Sequence, residues 1–300
     1  MRQFETLCVL SAAALWGAIA FFVKVLAAAG LSPIEIAALR AFGATVLLFF
    51  WLLCRDRAAL RVAPRDCRYF VGTGVLSLLF FNYCYFSAIE RSSIAVAASL
   101  LYTAPMFVAL LSAAFLGEAL TARKGAAAAA TLLGCALVSG LQPGGAPLSS
   151  AALFFGLGSG LGYALYSIFG KYALRRYGAP AISFYTFLFA SLGALPFLDA
   201  GRLAAVLATD DTLFYACGIA ALCTVLPYLL YTRGLKGMPA SKASVLATAE
   251  PLVAALLGAL CFGETLDAAK LAGMALILSA VLLLNRPETH RRAAALKKAR

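Results

Sequence analysis

Residues 105–124 read PMFVALLSAAFLGEALTARK, and residues 251–270 read PLVAALLGALCFGETLDAAK. The stretches lie 146 residues apart and agree at ten of 20 positions, including Pro105 with Pro251, Gly117 with Gly263, Glu118 with Glu264 and Lys124 with Lys270. Alanine and leucine matches arise readily in apolar sequence; a shared proline, Gly-Glu pair and lysine do not. Tyr85 meets Tyr231 at the same offset, and at 147 Lys24 meets Lys171 and Pro33 meets Pro180. The chain therefore reads as a tandem repeat. In each copy a proline interrupts an apolar run and a glycine suited to a left-handed helix end closes it. Thr121 and Asp267 are placed to cap the helices that follow.

The rest of the chain is equally apolar. Of its 300 residues 63% are hydrophobic and 13% charged, with a mean hydropathy of +0.91. Soluble proteins carry roughly half apolar and about a quarter charged residues, so a soluble enzyme is excluded, as are disorder, coiled coil and a secreted disulfide scaffold. At about 20 apolar residues per crossing, the runs predict ten transmembrane helices: 7–29, 34–53, 69–89, 94–116, 124–141, 151–174, 179–198, 213–233, 241–262 and 266–284. The runs do not alternate apolar with polar residues, which argues against a barrel. The eight cysteines are scattered without a CxxC pair and read as small buried hydrophobes.

Lysine and arginine stay on the cytoplasmic side of a membrane. With the N-terminus inside, 20 of the 25 basic residues fall in cytoplasmic segments, only Arg91, Arg202 and Lys270 fall outside, and Lys24 and Arg40 lie within spans. The net charge of +12 thus orients the chain beside anionic lipid and calls for no nucleic acid. Five spans per copy is an odd number, so the second copy enters the membrane upside down. The expected organisation is a first repeat at 1–141, an outer linker at 142–150, an inverted second repeat at 151–285 and a basic cytoplasmic tail at 286–300. Inverted repeats are the architecture of alternating-access carriers, with a site near the midplane. No organelle-targeting segment is present, which points to a bacterial inner membrane.

Trp16-Gly17, Arg40, Ser99 to Pro105 leading into Leu116-Gly117-Glu118, and Glu250-Pro251 leading into Phe262-Gly263-Glu264, resemble the EamA-type transporters of the drug/metabolite transporter superfamily. The resemblance covers nearly the whole chain. It implies export of amino acids, related metabolites or drugs without direct use of ATP. It also implies a central cavity between spans one, three, four, six, eight and nine, with five and ten outside. Arg40 has no counterpart at its repeat position, Thr186–Phe187.

Several residues stand out as candidates for the site. Aromatic rings with polar tips lie in the spans expected to face inward: Trp16, Asn82 with Tyr83 and Tyr85, Tyr102, Tyr163, Tyr166, and Tyr228. Such a lining suits amphipathic organic solutes. Tyr231, close to a helix end, is assigned instead to the interfacial belt. Glu250 lies about nine residues into its span, where an acid faces a cavity or a partner; it either binds an amino group, couples export to protons, or joins helices as a neutral acid. Pro105 and Pro251 are either hinges along the pathway or static kinks. Lys24, Arg40 and Lys171 are candidate charge partners, the lysines also fitting helix-end snorkelling and Arg40 a pair with Glu35 or an oxygen-lined pocket, or a contact to a substrate carboxylate. Glu118 and Glu264 read as turn residues. Gly156, Gly158, Gly160 and Gly162 give GxxxG spacings for close helix packing.

No catalytic residues, metal ligands or cofactor are expected: the one histidine, His290, is in the tail, and no GxxxxGK[ST] loop occurs. The expectation is a secondary transporter with a small-molecule substrate in a lipid bilayer, driven by the solute gradient or by protons. Its oligomeric state is not encoded in any motif. The rival readings are a phosphorylated-sugar or nucleotide-sugar exchanger, which would want more cationic residues in the cavity, and a non-transporting membrane sensor, which would want a soluble domain.

Overall fold

The computed structural model describes residues 2–140, 149–197, 200–208, 210–263 and 265–285. The basic tail, most of the linker and Glu264 lie outside the described residues. Every regular element among those described is helical. The principal rods are Gln3–Ala28 (α1), Pro33–Arg55 (α2), Pro64–Arg91 (α3), Ile94–Leu116 (α4), Ala122–Val138 (α5), Ser150–Ala173 (α6), Ala179–Ala194 (α7), Asp211–Gly237 (α8), Ala240–Cys261 (α9) and Ala268–Asn285 (α10). Eight are long and apolar enough to cross a membrane. The other two, α5 and α7, have 17 and 16 residues. At 1.5 Å per residue they rise about 24–26 Å, just short of a hydrocarbon core of about 30 Å.

Local chemistry sets the ends. The Ser32 hydroxyl accepts from the Glu35 N–H while the Glu35 carboxylate accepts from the Ser32 N–H at 2.7 Å, a capping box that starts α2. Ser93, Thr121 and Ser149 cap α4, α5 and α6 in the same manner. Gly117 and Gly263 close α4 and α9 at φ of 69° and 66°, the left-handed conformation in which a Cβ is disfavoured.

Five of the rods are interrupted: α1 at Ala18, and four others in matching pairs. Rods α4 and α9 break at Tyr102–Thr103 and Thr248–Ala249, each just ahead of its proline. Rods α3 and α8 each contain a π-helical stretch, Gly72–Leu79 and Ala221–Val225. At the breaks the threonine hydroxyls bond to the turn ahead, beside that turn's own backbone bonds: Thr103 donates to the Leu100 carbonyl at 2.6 Å and Thr248 to that of Val245 at 2.5 Å.

Small residues let the rods touch. A Cβ at Gly134 of α5 would stand 2.7 Å from the Gly273 carbonyl oxygen of α10, so these two rods meet backbone to backbone. On α6, Gly156 and Gly160 admit α4, and Gly162 admits the backbone of α3 at Phe81. The outer wall carries exposed Phe154, Phe214, Leu260 and Leu282, an apolar surface too extensive for water and suited to lipid.

Candidate transport site

The interior is built where α1 crosses α6 and α8. Trp16 is 7% exposed and lies edge-on to Tyr228 with ring centroids 5.2 Å apart, tilted on Tyr231 at 5.4 Å, and edge-on to Tyr163 at 6.5 Å. Tyr166 meets Tyr228 at 5.1 Å, and Phe81 of α3 closes the far side against Tyr163 at 5.9 Å. Edge-to-face geometry lets each ring offer its positive edge to a neighbour's negative face. Hydroxyl pairs pin the rings: Tyr166 to Thr232 at 2.6 Å and Ser167 to Tyr231 at 2.7 Å. Ser77, in the π stretch of α3, donates to the Gly162 carbonyl at 2.7 Å.

These groups enclose a cavity of about 20 Å3, room for a single water molecule. A second void of about 10 Å3 lies between Tyr102, Pro105 and Tyr163 on one side and Ser244 and Thr248 on the other, against the breaks in α4 and α9. Tyr163 stands between the two. Organic-solute pockets run to several hundred Å3, so this conformation is closed around its centre.

The charged groups approach from α2 and α9. Arg40 donates through Nε to Thr224 Oγ1 at 3.0 Å, inside the π stretch of α8, and Thr224 in turn donates to the Ile219 carbonyl at 2.9 Å. Glu250 opens the second half of α9, and its backbone is pressed against Gly17 of α1: a Cβ on Gly17 would be 2.7 Å from the Glu250 carbonyl oxygen. The Glu250 carboxylate is within electrostatic reach of Arg40, Tyr85, Tyr102, Tyr163 and Tyr228. An acid, a guanidinium and a ring of phenols therefore share one interior region.

Of the residues singled out in the sequence, the structure brings Trp16, Tyr163, Tyr166 and Tyr228 to the main cavity, and Tyr102 and Pro105 to the smaller one. Pro251 follows Glu250 at the start of the second half of α9. Asn82 is turned onto its own helix, donating to the Leu78 carbonyl at 2.7 Å. Tyr83 is corrected: it is 56% exposed on the outer wall beside Phe155, because two residues beyond Phe81 is about 200° around a helix. Tyr231 is corrected in the opposite sense, being 2% exposed and part of the aromatic wall. Lys24 is exposed at the end of α1, and Lys171 lies in the last turn of α6, within electrostatic reach of Glu118. Ser77, Ser167 and Thr224 were not signalled by the sequence; Ser77 and Thr224 do share a repeat offset of 147.

Glu118 is more than a turn residue. Its side chain is 13% exposed and reaches the start of α9, accepting from the Ala240 N–H at 2.5 Å, from Ser241 Oγ at 2.5 Å and from Lys124 Nζ at 3.2 Å. Burial alone would raise this carboxyl, but the Ser241 and Ala240 hydrogen bonds and the Lys124 ammonium outweigh it and hold the group below its ordinary value. The same end of the molecule has a second tie between the halves. Asp66, 1% exposed, accepts from Arg176 Nη1 at 3.0 Å and from the Tyr177 hydroxyl at 2.8 Å.

A family model described as the EamA-like transporter family matches residues 3–140 and again 150–286. An uncharacterized transporter of Archaeoglobus fulgidus is 34% identical over 284 residues, 94% of this chain and 96% of its own length. The threonine/homoserine exporter RhtA of Salmonella typhimurium is 28% identical over 215 residues, 68% of this chain and 67% of its own. A crystal structure of a protein 20% identical superposes with a TM-score of 0.80 over 95% of this chain and 97% of that one, a likeness of fold.

Proposed function

Because the chain belongs to the EamA-like transporter family, whose members are transporters and not enzymes, we propose that it carries small organic metabolites outward by alternating access. Amino acids and related amphipathic solutes are the proposed cargo. It is an integral membrane protein. The observation that carries the reading is the aromatic and hydroxyl cavity closed at the crossing of interrupted helices, with Glu250 and Arg40 within electrostatic reach of its rings. Phenol and indole rings suit an apolar side chain, while the carboxylate and guanidinium suit an ammonium and a carboxyl group. The kinship with a threonine/homoserine exporter supports that cargo class. A phosphorylated cargo would want several cations; among the described residues, Lys24 is exposed and Lys171 lies near Glu118, which leaves Arg40 as the candidate cation within reach of the rings.

In this reading α5 and α7 cross the membrane with the other eight, giving ten spans in two inverted repeats, 1–141 and 151–285, with both termini in the cytoplasm of a bacterial cell. The contacts of Glu118 support the inversion. They place the Gly117 turn beside the start of α9, whose 22 residues rise about 33 Å before reaching Gly263. The Glu118 and Asp66 ties then lie at the cytoplasmic end, and loading from that side requires the Glu118 tie to part. Transport through so small a cavity needs the repeats to rock, widening it towards one face at a time.

The test is exchange of labelled threonine and homoserine in proteoliposomes, with and without a pH gradient. The expected result is flux above protein-free vesicles that Trp16→Ala abolishes. Glu250→Gln is expected to remove the response to the pH gradient while exchange persists. Absence of exchange for a full amino acid panel would overturn the cargo class, and a pH response retained by Glu250→Gln would remove its coupling role.

A further inference from the structure

A crevice of about 680 Å3 opens at the Glu118 end of the molecule, beyond the aromatic cavity. It is walled by the first turns of α1 and α5, the α8–α9 junction and the last turn of α10. Two kinds of surface meet in it. Arg123, Lys124 and Lys242 supply cations, and Leu7, Leu10 and Leu284 supply an apolar wall. Leu7 is 62% exposed. The Arg123 guanidinium is anchored by donating to the Leu283 carbonyl at the end of α10, which fixes its position in the crevice. The acids nearby are Glu118, already engaged by Lys124 and the start of α9, and Glu5, packed against Gly237.

Cations beside an apolar wall, at the ends of helices that cross a bilayer, match a molecule with a phosphate head and a hydrocarbon body. We propose that this crevice binds one anionic phospholipid of the cytoplasmic leaflet, its phosphate against Arg123 and Lys242 and its first acyl carbons along Leu7, Leu10 and Leu284. Charge complementarity selects this occupant over the chain's own terminus: residues 286–300 carry six Lys and Arg against one Glu, and like charges repel. The proposal rests on membrane embedding and on the orientation given above, and it is independent of cargo and of transport.

The experiment uses the full chain in neutral detergent, titrated with phosphatidylglycerol, phosphatidylcholine or inorganic phosphate. Thermal unfolding and native mass spectrometry are the readouts, so failure here is distinct from failure of the transport reading. Phosphatidylglycerol is expected to raise the midpoint and remain as a single adduct, whereas phosphatidylcholine and inorganic phosphate do neither. Lys242→Gln, read against its own lipid-free midpoint, is expected to weaken the phosphatidylglycerol response about fivefold, the effect of one basic side chain near a headgroup. Equal stabilisation by phosphatidylcholine would overturn the charge selection, and an equal effect of inorganic phosphate would mean a free-anion site. A second measurement does not depend on removing charge: fluorescence of Leu7→Trp is expected to be quenched more by brominated phosphatidylglycerol than by brominated phosphatidylcholine. Equal quenching, or an unchanged titration in Lys242→Gln, overturns the proposal.

Discussion

Gly17 lies where α1 presses on the start of the second half of α9. A methyl group there would stand 2.7 Å from the Glu250 carbonyl oxygen and 2.8 Å from Val253 Cβ. Both belong to helix backbone or its first side-chain atom, so nothing flexible is available to yield. Gly17→Val is therefore expected to lower stability by about 1–3 kcal/mol and to push the Glu250 backbone away from α1. Melting and exchange assays on one preparation would show a lower midpoint together with lost flux; normal flux would mean that Glu250 does not have to sit where α1 holds it. The aromatic wall was partly legible at this scale, because Trp16, Tyr163, Tyr166 and Tyr228 are polar-tipped rings well inside apolar runs. Tyr83 and Tyr231 sit elsewhere than the sequence suggests, each for its own physical reason. The face a residue presents depends on helix phase, and a π stretch inserts an extra residue that rotates everything after it by about 100°. Tyr83 follows the stretch Gly72–Leu79, which has no sequence signature; Tyr231 differs by depth instead, since α8 runs on to Gly237, a turn past the expected end at 233.

Among the elements, α4 and α9 carry the most testable behaviour. Their breaks coincide with prolines whose missing N–H would otherwise bond four residues back, and Thr103 and Thr248 bond to carbonyls in the turns ahead of them. Pro105→Ala and Pro251→Ala are expected to lower the melting midpoint only slightly, by less than about 1 kcal/mol, because each proline stands in the first turn of its half-helix, while slowing turnover, since a continuous rod bends less readily. Unchanged turnover in both would leave the prolines as static kinks. The Gly-Glu turn was legible as a turn, since glycine in the left-handed region is a local property. The reach of Glu118 to Ala240 and Ser241, across 122 and 123 residues, was not, because its partners are in part backbone N–H groups that any sequence possesses. This contact makes a pH prediction. The folded carboxyl is held below its ordinary value, so its contribution is full above that ordinary value, about 4.3, and is lost as pH falls through the lower folded one. Glu118→Gln is expected to melt earlier than the parent chain at neutral pH, by about 2 kcal/mol, with the gap closing in acid. A gap that persists at the acid end would assign the loss to packing instead of charge.

At the scale of the whole molecule, the repeat was readable because Pro, Gly-Glu and Lys recur at one offset, and the count of apolar runs followed from hydropathy. Eight rods reach membrane-spanning length; α5 and α7, with 17 and 16 residues, end short of it. Hydropathy does not register where the α-helical pattern stops: α7 passes into a 3-10 turn at Leu195–Phe197 and α5 ends at Val138, inside apolar runs that continue. The functional account depends on how the copies lie relative to one another: opposed copies share a pocket and can open it to either side in turn, whereas parallel copies cannot do so by rocking. The most direct measurement is accessibility to a membrane-impermeant maleimide in intact cells, in a background lacking the eight native cysteines, with a single cysteine placed by Ala119→Cys or Thr265→Cys in the exposed turns beside Gly117 and Gly263. The account predicts that Thr265→Cys labels in intact cells and Ala119→Cys only after permeabilisation. Labelling of both from the same side would contradict it.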